Sequence, residues 1–189
     1  MQTKSKKGFT LIELLVVIAI LAVLATAVVV ILNPAELVKQ GRDSTRISDL
    51  AAVHSALALY LSDVASASLG SCSASNARCT ANGTNGFTTR TACSVATSTS
   101  VTGSGWIDVN FNSISSGSPL ARLPIDPVNS TTYFYAYGCN DTLKTYEIDA
   151  HMESTKYASG GGGDVESNEK DGGDAGAWYE IGNDPGLDL

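Results

Sequence analysis

Gly8-Phe9-Thr10-Leu11-Ile12-Glu13-Leu14-Leu15 opens a stretch that then runs apolar to Leu32, and its reading decides the fold. Its only charge is Glu13. A carboxylate costs roughly 2.5–3.5 kcal/mol at the middle of a membrane span and less near the end, so an acid kept here needs a partner. The nearest candidate is the amine that a cut after Gly8 would create at Phe9. Leu14 to Leu32 is nineteen residues without a charge and with one hydroxyl, Thr26. At about 1.5 Å per residue it covers ~28 Å, close to the thickness of a hydrocarbon core. Lys4, Lys6 and Lys7 precede it without an acid among the first eight residues. The positive-inside bias therefore places the N-terminus in the cytoplasm and the remainder outside. A secretory signal is the competing reading, with Ala25-Thr26-Ala27 as its cleavage site. Against it, Val28-Val29-Val30-Ile31-Leu32 would make a poor start for a soluble domain.

Lys6-Lys7-Gly8-Phe9-Thr10-Leu11-Ile12-Glu13-Leu14-Leu15-Val16-Val17-Ile18 resembles the N-terminal signature of type IV pilins and of the pseudopilins of type II secretion. The shared features are a short basic leader, a Gly at the cut, an aromatic after it, a Glu five residues into the product and a long apolar helix. The resemblance covers about the first fifty residues. It implies a prepilin peptidase that cuts after Gly8 and N-methylates Phe9. It also implies an assembly role for Glu13, pairing with the Phe9 amine of a neighbouring subunit. The implied partners are other copies of a pilin subunit, the peptidase, an inner-membrane assembly platform and, before assembly, membrane lipid. The implied location is a single-pass membrane protein with an extracytoplasmic C-terminal domain, then a periplasmic or cell-surface filament (a fimbrium). A membrane-anchored adhesin or binding domain that never polymerises is the alternative.

The chain of 189 residues carries 12 Lys and Arg against 19 Asp and Glu, a net charge of −7. Loss of the three leader lysines takes this to −10, which argues against nucleic acid as the main partner. Lys39, Arg42 and Arg46 are the only tight basic group, and Glu36, Asp43 and Asp49 lie among them, so they read as a solvated, charge-mixed helical face. Cys72, Cys79, Cys93 and Cys139 all follow the apolar stretch. An exported location suits two disulfides, and the three possible pairings stay open.

Organisation follows from composition and periodicity. Residues 1–8 form the leader, 9–32 the transmembrane and assembly helix, and 33–67 its amphipathic continuation. Residues 68–105 are a Cys-containing, loop-rich segment, and 106–189 a sheet with an acidic C-terminal loop. Asn33-Pro34 predicts a kink in one helix running from about Phe9 to Ala67. Ile47, Leu50, Leu57, Leu61 and Val64 make an apolar stripe at helical period. His54, at the stripe's edge, reads as a partly buried structural histidine. Trp106 to Phe111 alternates and predicts a strand. Tyr133–Tyr137 and Thr145–Asp149 flank turn-forming residues and predict an antiparallel hairpin. Trp178–Ile181 predicts a short last strand. The fold class is therefore α+β, a long kinked helix on a small antiparallel sheet, pilin-like in the terms of the resemblance. Leu123-Pro124-Ile125-Asp126-Pro127 before Tyr133 and Tyr135 resembles the proline loop of major pseudopilins. It reads as a rigid loop, with a subunit contact as the alternative.

Residues 164–189 hold eight acids and one lysine. Major pseudopilins carry a calcium site late in the chain, and Asp164, Glu166, Asp171 and Asp174 are the candidate ligands that the resemblance suggests here. No EF-hand spacing is present, and a solvated acidic loop is the simpler reading. No nucleophile elbow, phosphate loop or zinc-binding helix motif occurs. The sequence therefore predicts a structural protein rather than an enzyme, with calcium the one cofactor it suggests.

Overall fold

A computed structural model describes residues 8–184 and 186–189. The leader before Gly8 lies outside the described residues. The chain divides into two compact units between Val38 and Lys39.

Helix α1 (Leu11–Leu32) belongs to the first unit, and none of its residues is buried. Thr10 caps it, with extended backbone angles and a hydroxyl that accepts from the Glu13 amide. It ends at Asn33, which takes the left-handed conformation (φ 39°). Pro34 then starts helix α2 (Pro34–Asp63), where a missing amide proton costs nothing. The expected interruption lies at this Asn-Pro pair. The helical run stops at Asp63 rather than near Ala67, because the chain turns back so that Tyr60 Oη accepts from the Ser68 amide at 3.1 Å.

In the second unit the buried face of α2 follows the sequence spacing three, four, three, four, three: Asp43, Arg46, Leu50, Val53, Leu57, Tyr60. It packs on a five-stranded sheet ordered β2-β1-β3-β4-β5. The strands are β1 (Asn76–Cys79), β2 (Ala92–Val95), β3 (Tyr135–Asn140), β4 (Thr145–Ala150) and β5 (Tyr179–Gly182). The sheet is mixed, not wholly antiparallel. β1 and β2 run parallel, with Ala77 opposite Cys93. The β3–β4 and β4–β5 pairs form the expected hairpin and last strand.

Both faces of this sheet are covered. Tyr135, Tyr137, Tyr146, Ile148 and Ala150 face α2 and share its core with Trp106, Ile107 and Phe111. Behind the sheet a second cluster joins Ala77, Cys79, Phe87, Phe134, Ala136 and Leu189. The disulfide Cys79–Cys93 closes the segment that supplies Phe87, and Cys72–Cys139 ties the chain after α2 to β3.

Two further sequence-based expectations are corrected. Trp106–Phe111 is not a strand. Trp106, Ile107, Val109 and Phe111 are buried, but beyond one isolated antiparallel bridge between Asn110 and Thr102 the backbone bonds go to loops and a side chain: Trp106 N donates to Ser98 O, Phe111 N to Val101 O, and Trp106 O accepts from Arg78 Nε. Alternation supplied the burial, and no neighbouring strand supplied a ladder. The charge-mixed helical face is not solvated throughout, because Asp43 and Arg46 are fully buried.

Candidate functional site

The first candidate site is the start of α1. Glu13 Oε2 accepts from Thr10 N and from Thr10 Oγ1, each at 2.8 Å, and Glu13 N donates back to Thr10 Oγ1 at 3.3 Å. This reciprocal capping box satisfies two of the helix's orphan donors and holds the carboxylate beside the Phe9–Thr10 backbone. Phe9 is 88% exposed. Gly8 is exposed, and a Cβ built on it meets nothing within 4 Å. The described fold therefore gives no reason for glycine at position 8. Further along, Thr26 Oγ1 donates to Val23 O at 2.8 Å, so the helix satisfies its one internal hydroxyl itself. Seventeen large apolar side chains from Phe9 to Leu32 are exposed. By length and composition α1 can cross a membrane, and its polar side chains Glu13 and Thr26 each find a bond within the same segment.

The four cysteines form two disulfides, Cys72–Cys139 and Cys79–Cys93. The proline loop binds α2 through Asp126. Arg46 Nε and Nη2 donate to its two oxygens at 2.6 and 3.0 Å, and Nη1 donates to Asp43 at 2.7 Å. Asp126 also accepts from the Val128 and Asn129 amides. Burial alone would lower the Arg46 guanidinium; the bonds and charges of Asp126 and Asp43 more than offset this and leave it raised. Asp43 in turn accepts from the Glu153 and Ser154 amides. Each of these ions is thus paired and hydrogen-bonded, the condition under which buried charge is tolerated.

The four tail acids do not converge. Asp164 accepts from the amides of Gly160, Glu166 and Ser167 and from the Ser167 hydroxyl. Glu166 is buried and accepts from the Met152 and Ser159 amides, with His151 Nδ1 at 2.9 Å. Asp171 accepts from the Gly173 and Glu180 amides. Asp174 is exposed, and its backbone carbonyl accepts from Asn168 Nδ2 at 3.1 Å.

A different set does converge. Among the described residues, one group of three candidate ligands brings its oxygens within 4.8 Å of one another: Glu147, Asp149 and Glu180. Glu147 and Asp149 share the rear face of β4, and Asp149 pairs directly with Glu180 on β5. All three are at least 98% buried. Burial pushes Glu147 up. Burial, then the charges of Glu147 and Glu180, pushes Asp149 well above the carboxylate range. Glu180 is pushed up to about 8, first by burial and then by the Glu147 charge against the Ala175 amide bond. The available signal was the Glu-x-Asp spacing on a predicted strand. It reads as a solvent face unless the cover over that face is known.

Residues 3–29 match the model of the prokaryotic N-terminal methylation motif, the signature of type IV pilins and pseudopilins. No curated protein and no solved structure matches the chain. The chain thus has a pilin-type N-terminus, with an apolar helix compatible with a single-pass membrane anchor.

Proposed function

We propose that this chain is a structural subunit of a type IV pilus or pseudopilus. A prepilin peptidase cuts it after Gly8 and methylates Phe9, and α1 then packs it into a filament. The observation that carries this reading is an apolar helix with no buried residue, whose single carboxylate is held one residue from the future N-terminus. The methylation motif over residues 3–29 supports it.

The steps follow from solvation. In the membrane α1 is surrounded by lipid, its backbone self-satisfied, with the acid near the basic, cytoplasmic end. Moving it from lipid into a bundle of like helices brings little hydrophobic gain, because lipid tails are as apolar as leucine. Packing and specific polar contacts must then decide the arrangement. Cleavage converts the Phe9 amide into an amine, and a carboxylate beside an ammonium in low dielectric is strongly favoured at one stagger. Glu13 therefore sets the axial register between subunits. Once the filament leaves the membrane, the exposed side chains of α1 would each cost about 1.5–3 kcal/mol in water unless covered by neighbours. The second unit, net acidic and covered on both sheet faces, forms the outer surface.

Two substitutions test this. Gly8→Leu leaves the described fold without a clash and is expected to leave the leader attached; ordinary cleavage by mass spectrometry would refute the peptidase assignment. Glu13→Ala is expected to insert and be cleaved normally while filament yield, from sheared surface material in electron microscopy, falls severely. Undiminished yield would remove Glu13 from the assembly mechanism.

A further inference from the structure

Glu147, Asp149 and Glu180 place three carboxylates against one another behind the sheet, and no basic side chain among the described residues is bonded to any of them. In each, one oxygen is held by a backbone amide. Asp149 Oδ2 accepts from Gly86 N at 3.1 Å, Glu147 Oε2 from Leu189 N at 3.2 Å, and Glu180 Oε2 from Ala175 N at 3.0 Å. The other oxygen of each, Glu147 Oε1, Asp149 Oδ1 and Glu180 Oε1, is buried, and among the described residues nothing outside the cluster donates to it; within the cluster Glu147 is in hydrogen-bonding reach of Asp149 and of Glu180. Buried acceptors without an outside donor are costly, and these three can be satisfied only by protons held between the acids or by a shared cation.

The surrounding backbone is built close to these groups. A Cβ at Gly173 would sit 1.9 Å from Glu180 Oε2, and one at Gly86 would sit 2.7 Å from Asp149 Oδ2. Glycine at both positions lets main chain approach the carboxylates directly. The contrast with Arg46 is informative. There the same fold gives each buried acid a guanidinium partner within 3.0 Å.

We propose that Glu147, Asp149 and Glu180 form a buried structural site for a hard divalent cation, with calcium as the ion it fits. The donor set contains only oxygen, and every cysteine is in a disulfide, which disfavours zinc and copper. Calcium accepts six to eight oxygens in flexible geometry, whereas magnesium demands a small, near-ideal octahedron and keeps its waters. The ion offsets two of the three negative charges and gives those three oxygens a common partner. Through the amide-held oxygens it also fastens three separate segments to β4 and β5: the Gly86 turn, the Ala175 loop and the C-terminal Leu189. These donors sit on strands, apart from the Asp164 and Glu166 loop residues, and the site does not depend on whether the chain forms filaments.

The test uses the full chain in detergent, stripped with EGTA and titrated with calcium chloride at neutral pH. Calorimetry is expected to give one bound ion. Calcium at about a hundred times its Kd is expected to raise the thermal midpoint of the second unit by about 5–10 °C. Amide exchange at Gly86 and Leu189 should slow on binding. The triple variant Glu147→Gln, Asp149→Asn, Glu180→Gln should lose binding and the calcium shift, yet in EGTA melt at or above the stripped wild type, since it carries no buried charge. If the triple variant does not fold, Glu180→Gln alone should weaken binding at least about tenfold, as affinity follows ligand charge. Two results overturn the proposal. One is no binding and no midpoint shift up to about 10 mM calcium, the weak end of extracellular sites, which would mean that the three acids share protons instead. The other is undiminished binding by the variants, which would place any calcium elsewhere.

Discussion

Glu13, the one acid of an apolar helix, and Asp126, buried in the second unit, find their partners at different ranges. Glu13 is satisfied by Thr10, three residues away. Asp126 is satisfied by Arg46, eighty residues away and reached only because a proline loop lies against α2. The first unit is a helix whose stability is local and whose apolar surface is left for an outside medium. The second is a fold in which buried ions such as Arg46 and Asp126 are paired over long sequence distances. One consequence is that substitutions which abolish the first unit's task should leave the second unit's stability alone, and the reverse.

The largest test of this contrast is Arg46→Met. Removing one partner of a buried ion network leaves Asp43 and Asp126 charged and unpaired, which costs about 3–5 kcal/mol. For a domain of this size that is a fall of about 6–20 °C in thermal midpoint. Glu13→Ala, measured in the same scan, should not move the midpoint. Equal shifts in the two variants would break the division between the units.

Next come the disulfides. Cys72–Cys139 closes 67 residues and Cys79–Cys93 closes 14. The chain-entropy view gives about 4 and about 3 kcal/mol respectively. Paired Cys→Ala substitutions, compared by chemical denaturation, should rank in that order. A reversed ranking would mean that the short bridge holds the rear cover of the sheet in a way that loop length does not capture.

The same division explains what the sequence disclosed. The apolar run of α1, its single acid and the Asn33-Pro34 break are local, and each was readable residue by residue. So were the β3–β4 hairpin, flanked by turn formers, and the last strand. Strands β1 and β2 were not readable. Asn76-Ala77-Arg78-Cys79 and Ala92-Cys93-Ser94-Val95 lie in a polar, Ser-rich stretch, and their order comes from the sheet edge and the bridge between them. Trp106–Phe111 had the alternation of a strand, but its pairing stops at one isolated bridge, Asn110 to Thr102. The burial of Asp43 and Arg46 did leave a trace, since both lie in phase with Leu50, Val53, Leu57 and Tyr60. Charge composition pointed to a solvent face and periodicity to a buried one, and the loop carrying Asp126 decided between them. At the rear of the sheet, Glu147 and Asp149 were legible as one face of a strand. What covers that face, Phe87 from a disulfide-closed loop and Leu189 from the far end of the chain, was not.

Asp164 gives the smallest and sharpest test, because it is a second example of the local kind inside the long-range unit. Its partners, Gly160, Glu166 and Ser167, all lie within four residues. The Ser167 hydroxyl first, then the Gly160 amide and the following amides, hold its carboxyl down to about 2 from the ordinary 3.8. A folded-state value below the unfolded one means that the ionised carboxylate contributes stability above pH ~4 and loses it as pH falls towards 2. The midpoint difference between wild type and Asp164→Ala should therefore be constant from pH 7 to about 5 and shrink steadily below about 4. Asp164→Asn, which keeps an acceptor but no charge, should fall between the two at neutral pH and show no such shrinkage relative to the alanine variant. A wild-type-to-alanine gap that stays constant to the lowest pH would mean that Asp164 orders its loop by shape rather than by charge. The analogy with the capped acid of α1 would then fail.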